Sequence, residues 1–380
     1  MKIKQKREDT EHHYILRSIW NTKWVYISYI PEIYYKKKDN DYMLFHQNRR
    51  EALVIGKIFF ALGYNVKVAL YNAIEECDNR QYDIIFGLEP NFTTMSKKNS
   101  QALKIYYATG AYWEHQYNMV KNRTDQFNIE HKTHLPYSRL VYEHNSCNIA
   151  NVIFQIGSIF TLQTYPKHLQ DKIKIIHQSS NFIRQCDLKW KLNKMSRTDF
   201  IWFGSSGSIL KGLDLVLDYF ISHPQYSLHV VGPIDAEFME YYQRQLEKHE
   251  NIFFYGFLST DSEQFMKLAY QCAFNIFPSA SEGGCPGSVI TLMQMGVIPI
   301  LSQWAALDNI EQYGYLLPTL SIDAIDKAIQ WAAQLPIEKI HKLVENNILY
   351  SKRTWNLELF EKEFSSTLQE TINNHINHKI

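Results

Sequence analysis

The sequence has almost no excess of charge of either sign: 40 Lys and Arg stand against 39 Asp and Glu over 380 residues, a formal net charge of +1. A protein whose affinity comes from neutralising a phosphate backbone needs a basic surplus, so nucleic acid is excluded as the main partner. Cysteine is scarce: Cys77, Cys147, Cys186, Cys272 and Cys285 are odd in number and far apart, with no C-x-x-C pair. That spacing indicates neither a disulfide framework nor a thiolate zinc site, and it fits a reducing cytoplasm. Long apolar runs are missing too. The opening MKIKQKREDTEHHYILRSIW turns acidic and polar after its basic start, unlike a signal peptide, and no run approaches the ~20 apolar residues of a membrane span. Glycine is sparse at first: Gly56, Gly63, Gly87, Gly110 and Gly157 precede position 200, whereas ten glycines fall between 204 and 314. Glycine marks tight turns and close backbone approach, so the phosphate-handling half, if there is one, is the second.

What is present is an ordinary globular composition, 45% hydrophobic and 21% charged, long enough for two or three domains. The 25 Tyr and 21 Phe read as aromatic core and amphipathic surface rather than a carbohydrate platform. Apolar runs of strand length recur, each followed by a longer stretch of helical period, the pattern of parallel strands covered by helices. Strands are expected at 24–30, 64–70, 83–88, 104–109, 152–157 and 172–177, then at 199–204, 226–232, 251–256, 273–279 and 297–302. The fold class is α/β, with two doubly wound, Rossmann-like domains. We expect an acceptor-side domain over 1–183, a polar linker over 184–197 (RQCDLKWKLNKMSR from Arg184), a second α/β domain over 198–350, and a C-terminal helix with a frayed polar tail over 351–380.

Two segments carry chemistry. FIWFGSSGSILKGLDLVLDYF, from Phe200 to Phe220, is a strand, a loop with three glycines and an amphipathic helix. Such a loop aims backbone N–H groups and a helix start at whatever lies above the strand, and Lys211 adds a full charge. Lys211 precedes Gly212, so this is not a Walker loop, and no G-x-G-x-x-G occurs anywhere. FPSASEGGCPGSVITLMQMGVIPILS, from Phe277 to Ser302, ends a strand, presents one carboxylate, Glu282, before Gly283 and Gly284, and opens an apolar helix for which Ser288 is the expected N-cap. A carboxylate beside free backbone donors can orient sugar hydroxyls while the donors hold phosphate.

These residues resemble GT-B glycosyltransferases, above all the large family 4 of nucleotide-sugar-dependent enzymes of bacterial polysaccharide type. Glu282-Gly283, followed by the helix ending Met295-Gly296-Val297-Ile298-Pro299, is similar to that family's Glu-x7-Glu region, and Phe203-Gly204 with Lys211-Gly212 to its phosphate-binding segment. Gly256-Phe257-Leu258 resembles the turn near the nucleotide base, and Tyr350 to Phe364 the helices that cross back onto the first domain. Two positions depart: the family's second Glu falls on Thr291 and its Arg on Ser205.

The resemblance implies a GT-B architecture and transfer of a hexose-type sugar from a nucleotide-sugar donor to a hydroxyl, with retention and no required metal or cofactor. Lys211 and Glu282 would be catalytic. Gly204, Ser205, Ser206, Gly207, Gly256, Phe257, Leu258, Gly283, Gly284, Cys285, Ser288 and Thr291 would join them in donor binding. On the acceptor side the candidates are His46 and Asn48 before the first long helix pattern, Thr109 and Gly110 at a strand end, and His115. The stretch from Arg123 to Arg139 reads as a solvated acceptor-side segment. The implied acceptor is a glycan or lipid-linked glycan, with peripheral contact at the inner membrane face through Lys2, Lys4, Lys6 and Arg7. Two other classes fit the same segments: an inactive GT-B domain serving as a binding or scaffold subunit, and a nucleotide-sugar epimerase.

Overall fold

The computed structural model of the protein describes residues 12–39, 42–43, 46–180 and 185–377. Its strands are β1 (His13–Leu16), β2 (Lys23–Tyr29), β3 (Tyr64–Leu70), β4 (Ile84–Gly87), β5 (Leu103–Ala108), β6 (Val152–Ile156) and β7 (Ile173–Ile176), then β8 (Ser196–Phe203), β9 (Ser227–Val231), β10 (Ile252–Phe254), β11 (Cys272–Phe277), β12 (Ile298–Ser302) and β13 (Tyr315–Leu317). The first seven form one sheet in the order β1-β3-β2-β4-β5-β6-β7, and the last six a second in the order β10-β9-β8-β11-β12-β13. Only β1 runs antiparallel; every other pairing is parallel. A parallel sheet needs crossover helices on both faces, which is why runs such as CAFNIF in β11 are buried throughout.

Strand order reverses between β8 and β11 in the second sheet and between β2 and β4 in the first. Loops leaving such a switch point diverge to opposite faces and open a crevice at the carboxyl ends of the strands. The helices that matter for this crevice are α1 (Gln47–Ala61), α2 (Trp113–His131), α3 (Leu188–Lys194), α4 (Leu213–Ser222), α5 (Ala236–Leu246), α6 (Glu263–Gln271), α7 (Gly287–Gln294), α8 (Ile337–Thr354) and α9 (Leu357–Asn377). After α8 packs on α7, α9 returns to the first sheet. There Phe360, Phe364 and Leu368 complete a core with Phe59, Phe86 and Phe154, the Phe364 ring lying 5.7 Å from Phe86 and 5.6 Å from Phe154.

Several expectations are corrected. The polar stretch expected as a linker folds into α3 and the start of β8, with Arg184 outside the described residues. Asp187 caps α3, and Lys191 is fully buried because its ammonium donates to the carbonyls of Ala269 and Cys272 at 2.6 Å each, closing the end of α6. The polar tail is helical to Asn377 rather than frayed. The segment from Arg123 to Arg139 is solvated only in its second half. Its first part is the last half of α2, and Phe127 is buried in the second domain's core.

Candidate active site

The β8 loop reaches the end of β11 because two glycines permit it. Gly207 and Gly212 have φ of 93° and 69°, left-handed backbone that other residues adopt only with strain. A Cβ on Gly212 would also run into Pro278, at 2.6 Å from its Cγ. The Lys211 amide donates to the Gly207 carbonyl at 2.9 Å, and the Ala280 amide to the Leu210 carbonyl at 2.7 Å, pinning the two loops together. Lys211 and Glu282, 71 residues apart, thereby meet: Lys211 Nζ lies 3.0 Å from Glu282 Oε1 and 5.4 Å from the Phe277 ring centroid. Ser279 Oγ donates to the same carboxylate oxygen at 2.9 Å. Both side chains are largely buried, 7% and 14% exposed, so neither charge is dissipated in water. Among the described residues the pairing leaves two ammonium protons of Lys211 and Oε2 of Glu282 without protein partners. A cation with spare donors beside a carboxylate with a spare acceptor can hold an anion and an attached polyol at once.

The other proposed donor residues are less open than expected. Among the loop amides, Gly204 donates to the Val231 carbonyl at 3.0 Å. Gly207 and Ser208 donate to the Asp235 carboxylate at 2.9 and 2.7 Å, so an internal anion already occupies that part of the cradle. The amides of Ser205 and Ser206 donate to no described protein group. Ser288 is not the cap of α7; Pro286 holds that position without a side-chain bond, and Ser288 sits in the first turn. Thr291 is buried, its hydroxyl donating to the Gly287 carbonyl of its own helix at 2.7 Å, as a Thr inside a helix commonly does. Cys285 is buried, with burial pushing its thiol far above the ordinary range, so it is inert. Gly256, with φ of 62°, ends β10 two strands from β8, about 10 Å away. Phe257 beside it is exposed, and Leu258 packs on the core.

The first domain presses against the Glu282 loop. A Cβ on Gly283 would collide with the Thr109 carbonyl and lie 2.7 Å from Gly110 Cα, so only glycine fits there. Thr161 Oγ1 donates to the Gly283 carbonyl, and Gln178 Nε2 to that of Cys285 at 2.7 Å. Gln47 Oε1 lies 3.0 Å from where a Gly287 Cβ would sit, which brings the start of α1, with His46 as its N-cap bonded to the Asn48 amide, to the start of α7. The His115 ring centroid lies 4.4 Å from that of Trp304, tilted by 50°, and His115 bonds the Ala280 backbone, while its Nε2 is buried with no partner among the described residues. Desolvation holds its imidazole below the ordinary value, against the opposing pull of Ala280.

Thr161, Gln178, Asp235 and Trp304 escaped the sequence reading, because nothing in their local sequence marks a contact made across the crevice. Among the described residues no three His, Cys, Asp or Glu side chains gather as a metal site, and no helix is long and apolar enough to cross a membrane.

Residues 197–334 match the family model of glycosyl transferases group 1. No curated protein sequence matches the chain. Among solved structures, Alr3699/HepE of Anabaena in complex with UDP superposes with a TM-score of 0.55 at 12% identity, covering 92% of this chain and 100% of that one. WaaG, a glycosyltransferase involved in lipopolysaccharide biosynthesis, gives 0.55 at 12% identity over 90% and 99%. A glycosyltransferase from Rickettsia africae gives 0.51 at 11% over 93% and 100%. The chain adopts the GT-B fold, and its second domain, over residues 197–334, matches the glycosyl transferases group 1 model.

Proposed function

We propose that the protein transfers a hexose-type sugar from a nucleotide-sugar donor to an acceptor hydroxyl, with retention and without a required metal, in the synthesis of a surface glycan. The observation that carries the reading is the Lys211–Glu282 pair at the switch point of the second sheet. Two relatives support it: Alr3699/HepE was crystallised with UDP-glucose, and WaaG acts in lipopolysaccharide biosynthesis. In this reading the acceptor oxygen bonds to the anomeric carbon as that carbon's bond to the diphosphate breaks, and the hydroxyl proton passes to the departing diphosphate. Negative charge grows on the leaving group, and the unpaired protons of Lys211 and the amides of Ser205 and Ser206 meet it as preorganised donors. Glu282 Oε2 accepts from the sugar hydroxyls. His115, whose Nε2 is unpartnered beside the Glu282 loop, and Thr109-Gly110 face the acceptor side.

The acceptor in this reading is a glycan or lipid-linked glycan handled at the cytoplasmic membrane face. Lys2, Lys4, Lys6 and Arg7, which would serve a peripheral contact there, lie outside the described residues. The test is mass spectrometry of products after incubation with UDP-, GDP-, ADP- and CMP-sugars. Transfer from one of them, lost in Glu282→Ala, is expected; sugar interconversion without an acceptor, or no turnover with any donor, contradicts the reading.

A further inference from the structure

The segment after α2 leaves the first domain and lies along the β8 loop, one residue at a time. Ser138 Oγ donates to Asp235 at 3.2 Å, and Leu140 packs with Val120, Leu210 and Ala280, the last two within two residues of Lys211 and Glu282. Between them, Arg139 is held with φ of 64°, a conformation costly for a residue with a side chain and maintained only where surroundings impose it. Its carbonyl accepts from Gln116 Nε2 at 3.0 Å, and its side chain crosses the face of Gly207, the Cγ and Nε atoms 3.1 and 3.7 Å from where a Cβ would lie. Arg139 is exposed, and among the described residues no carboxylate comes within ion-pair distance of its guanidinium. Desolvation, then the cations Arg49 and Arg139, hold His46 below the ordinary imidazole value, so Arg139 also lies in reach of the α1 start.

Gln116 fixes the Arg139 backbone and Gly207 lies against its side chain, yet among the described residues its guanidinium meets no protein anion. The amides of Gly207 and Ser208 beneath it are taken by Asp235, so an incoming phosphate gains little from them and gains most from a planar guanidinium that can bind it through two parallel bonds. We infer that Arg139, delivered by the first domain, is a diphosphate-binding residue of the donor site, its side chain lying against Gly207, whose carbonyl accepts from the Lys211 amide. The inference rests on the proposed glycosyl transfer for its ligand class. It also makes donor binding depend on the two domains being together.

Calorimetric titration with inorganic pyrophosphate tests it, comparing wild type, Arg139→Gln, Arg139→Lys and, as a control, Arg80→Gln, whose guanidinium lies over Trp24 away from the crevice. Arg139→Gln is expected to weaken pyrophosphate about tenfold or more and to flatten the salt dependence. Arg139→Lys should recover part of the affinity, and Arg80→Gln should behave as wild type. Melting temperatures of the variants, expected to stay with that of wild type, separate lost binding from lost folding. Equal pyrophosphate affinity in wild type and Arg139→Gln overturns the inference, as does a wild type that binds none. If pyrophosphate binding depends on Arg139 but no sugar nucleotide is turned over, the proposed function fails while the inference stands.

Discussion

Glu51 shows how far a single side chain in this protein is removed from its ordinary chemistry. It is buried in the first turns of α1, its Oε1 accepting from the Ser179 amide at 2.6 Å and from the Ser179 hydroxyl at 2.8 Å. Burial pushes its carboxyl up to about 7, with the Ser179 bonds drawing it back. A carboxyl whose folded value lies above its unfolded value binds the proton more tightly when folded. Its contribution to stability is therefore complete below the ordinary carboxylate range and is lost as pH rises through about 7. Wild type should lose stability relative to Glu51→Gln between about pH 5 and pH 8, as read from melting temperatures across that range; parallel curves would rule it out. The sequence made Lys211 and Glu282 legible because glycines and small residues cluster around each. Glu51, Asp235 and Arg139 were not legible, since each acquires its role from a partner more than 25 residues away or across the crevice.

At the scale of elements, α2 ties the two domains together. Arg123 and Asp214 of α4 form a buried pair at 2.5 Å, 6% and 4% exposed. His131 donates or accepts at 2.8 Å with Tyr241 of α5, and its ring stacks on Phe127. Removing one partner of such a pair leaves an uncompensated charge out of water, so Arg123→Leu should cost about 3–5 kcal/mol, while Arg123→Met with Asp214→Leu should restore most of it. Urea unfolding measures both; a single variant as stable as wild type would show that the pair is not sequestered. Periodicity located eleven strands because parallel strands buried on both faces read as continuous apolar runs. It missed β1 and β13, edge strands of four and three residues with a single buried residue each. It missed α3 because the burial of Lys191 depends on three carbonyls that only the fold supplies.

The whole molecule is two parallel sheets whose switch points face one crevice, crossed twice by the chain. The crossings meet where the Ser180 amide and hydroxyl both donate to the Trp355 carbonyl, and Gln294 Nε2 of α7 donates to Ser180 Oγ at 2.6 Å. From that hub α9 runs back over the first sheet, so each domain borrows an element from the other's length of chain: α9 covers the first core and the end of α2 enters the second. A donor held between them would touch both. The most direct test is calorimetric titration of the nucleoside diphosphate that the enzyme uses, and of the matching monophosphate, into wild type and Lys211→Ala. The diphosphate should bind wild type at least about tenfold tighter than the monophosphate, and that preference should shrink severalfold in a folded Lys211→Ala protein, the remainder being carried by Arg139. A variant that keeps the full preference would contradict the assignment of Lys211 and Glu282 as the grip on the diphosphate and its sugar.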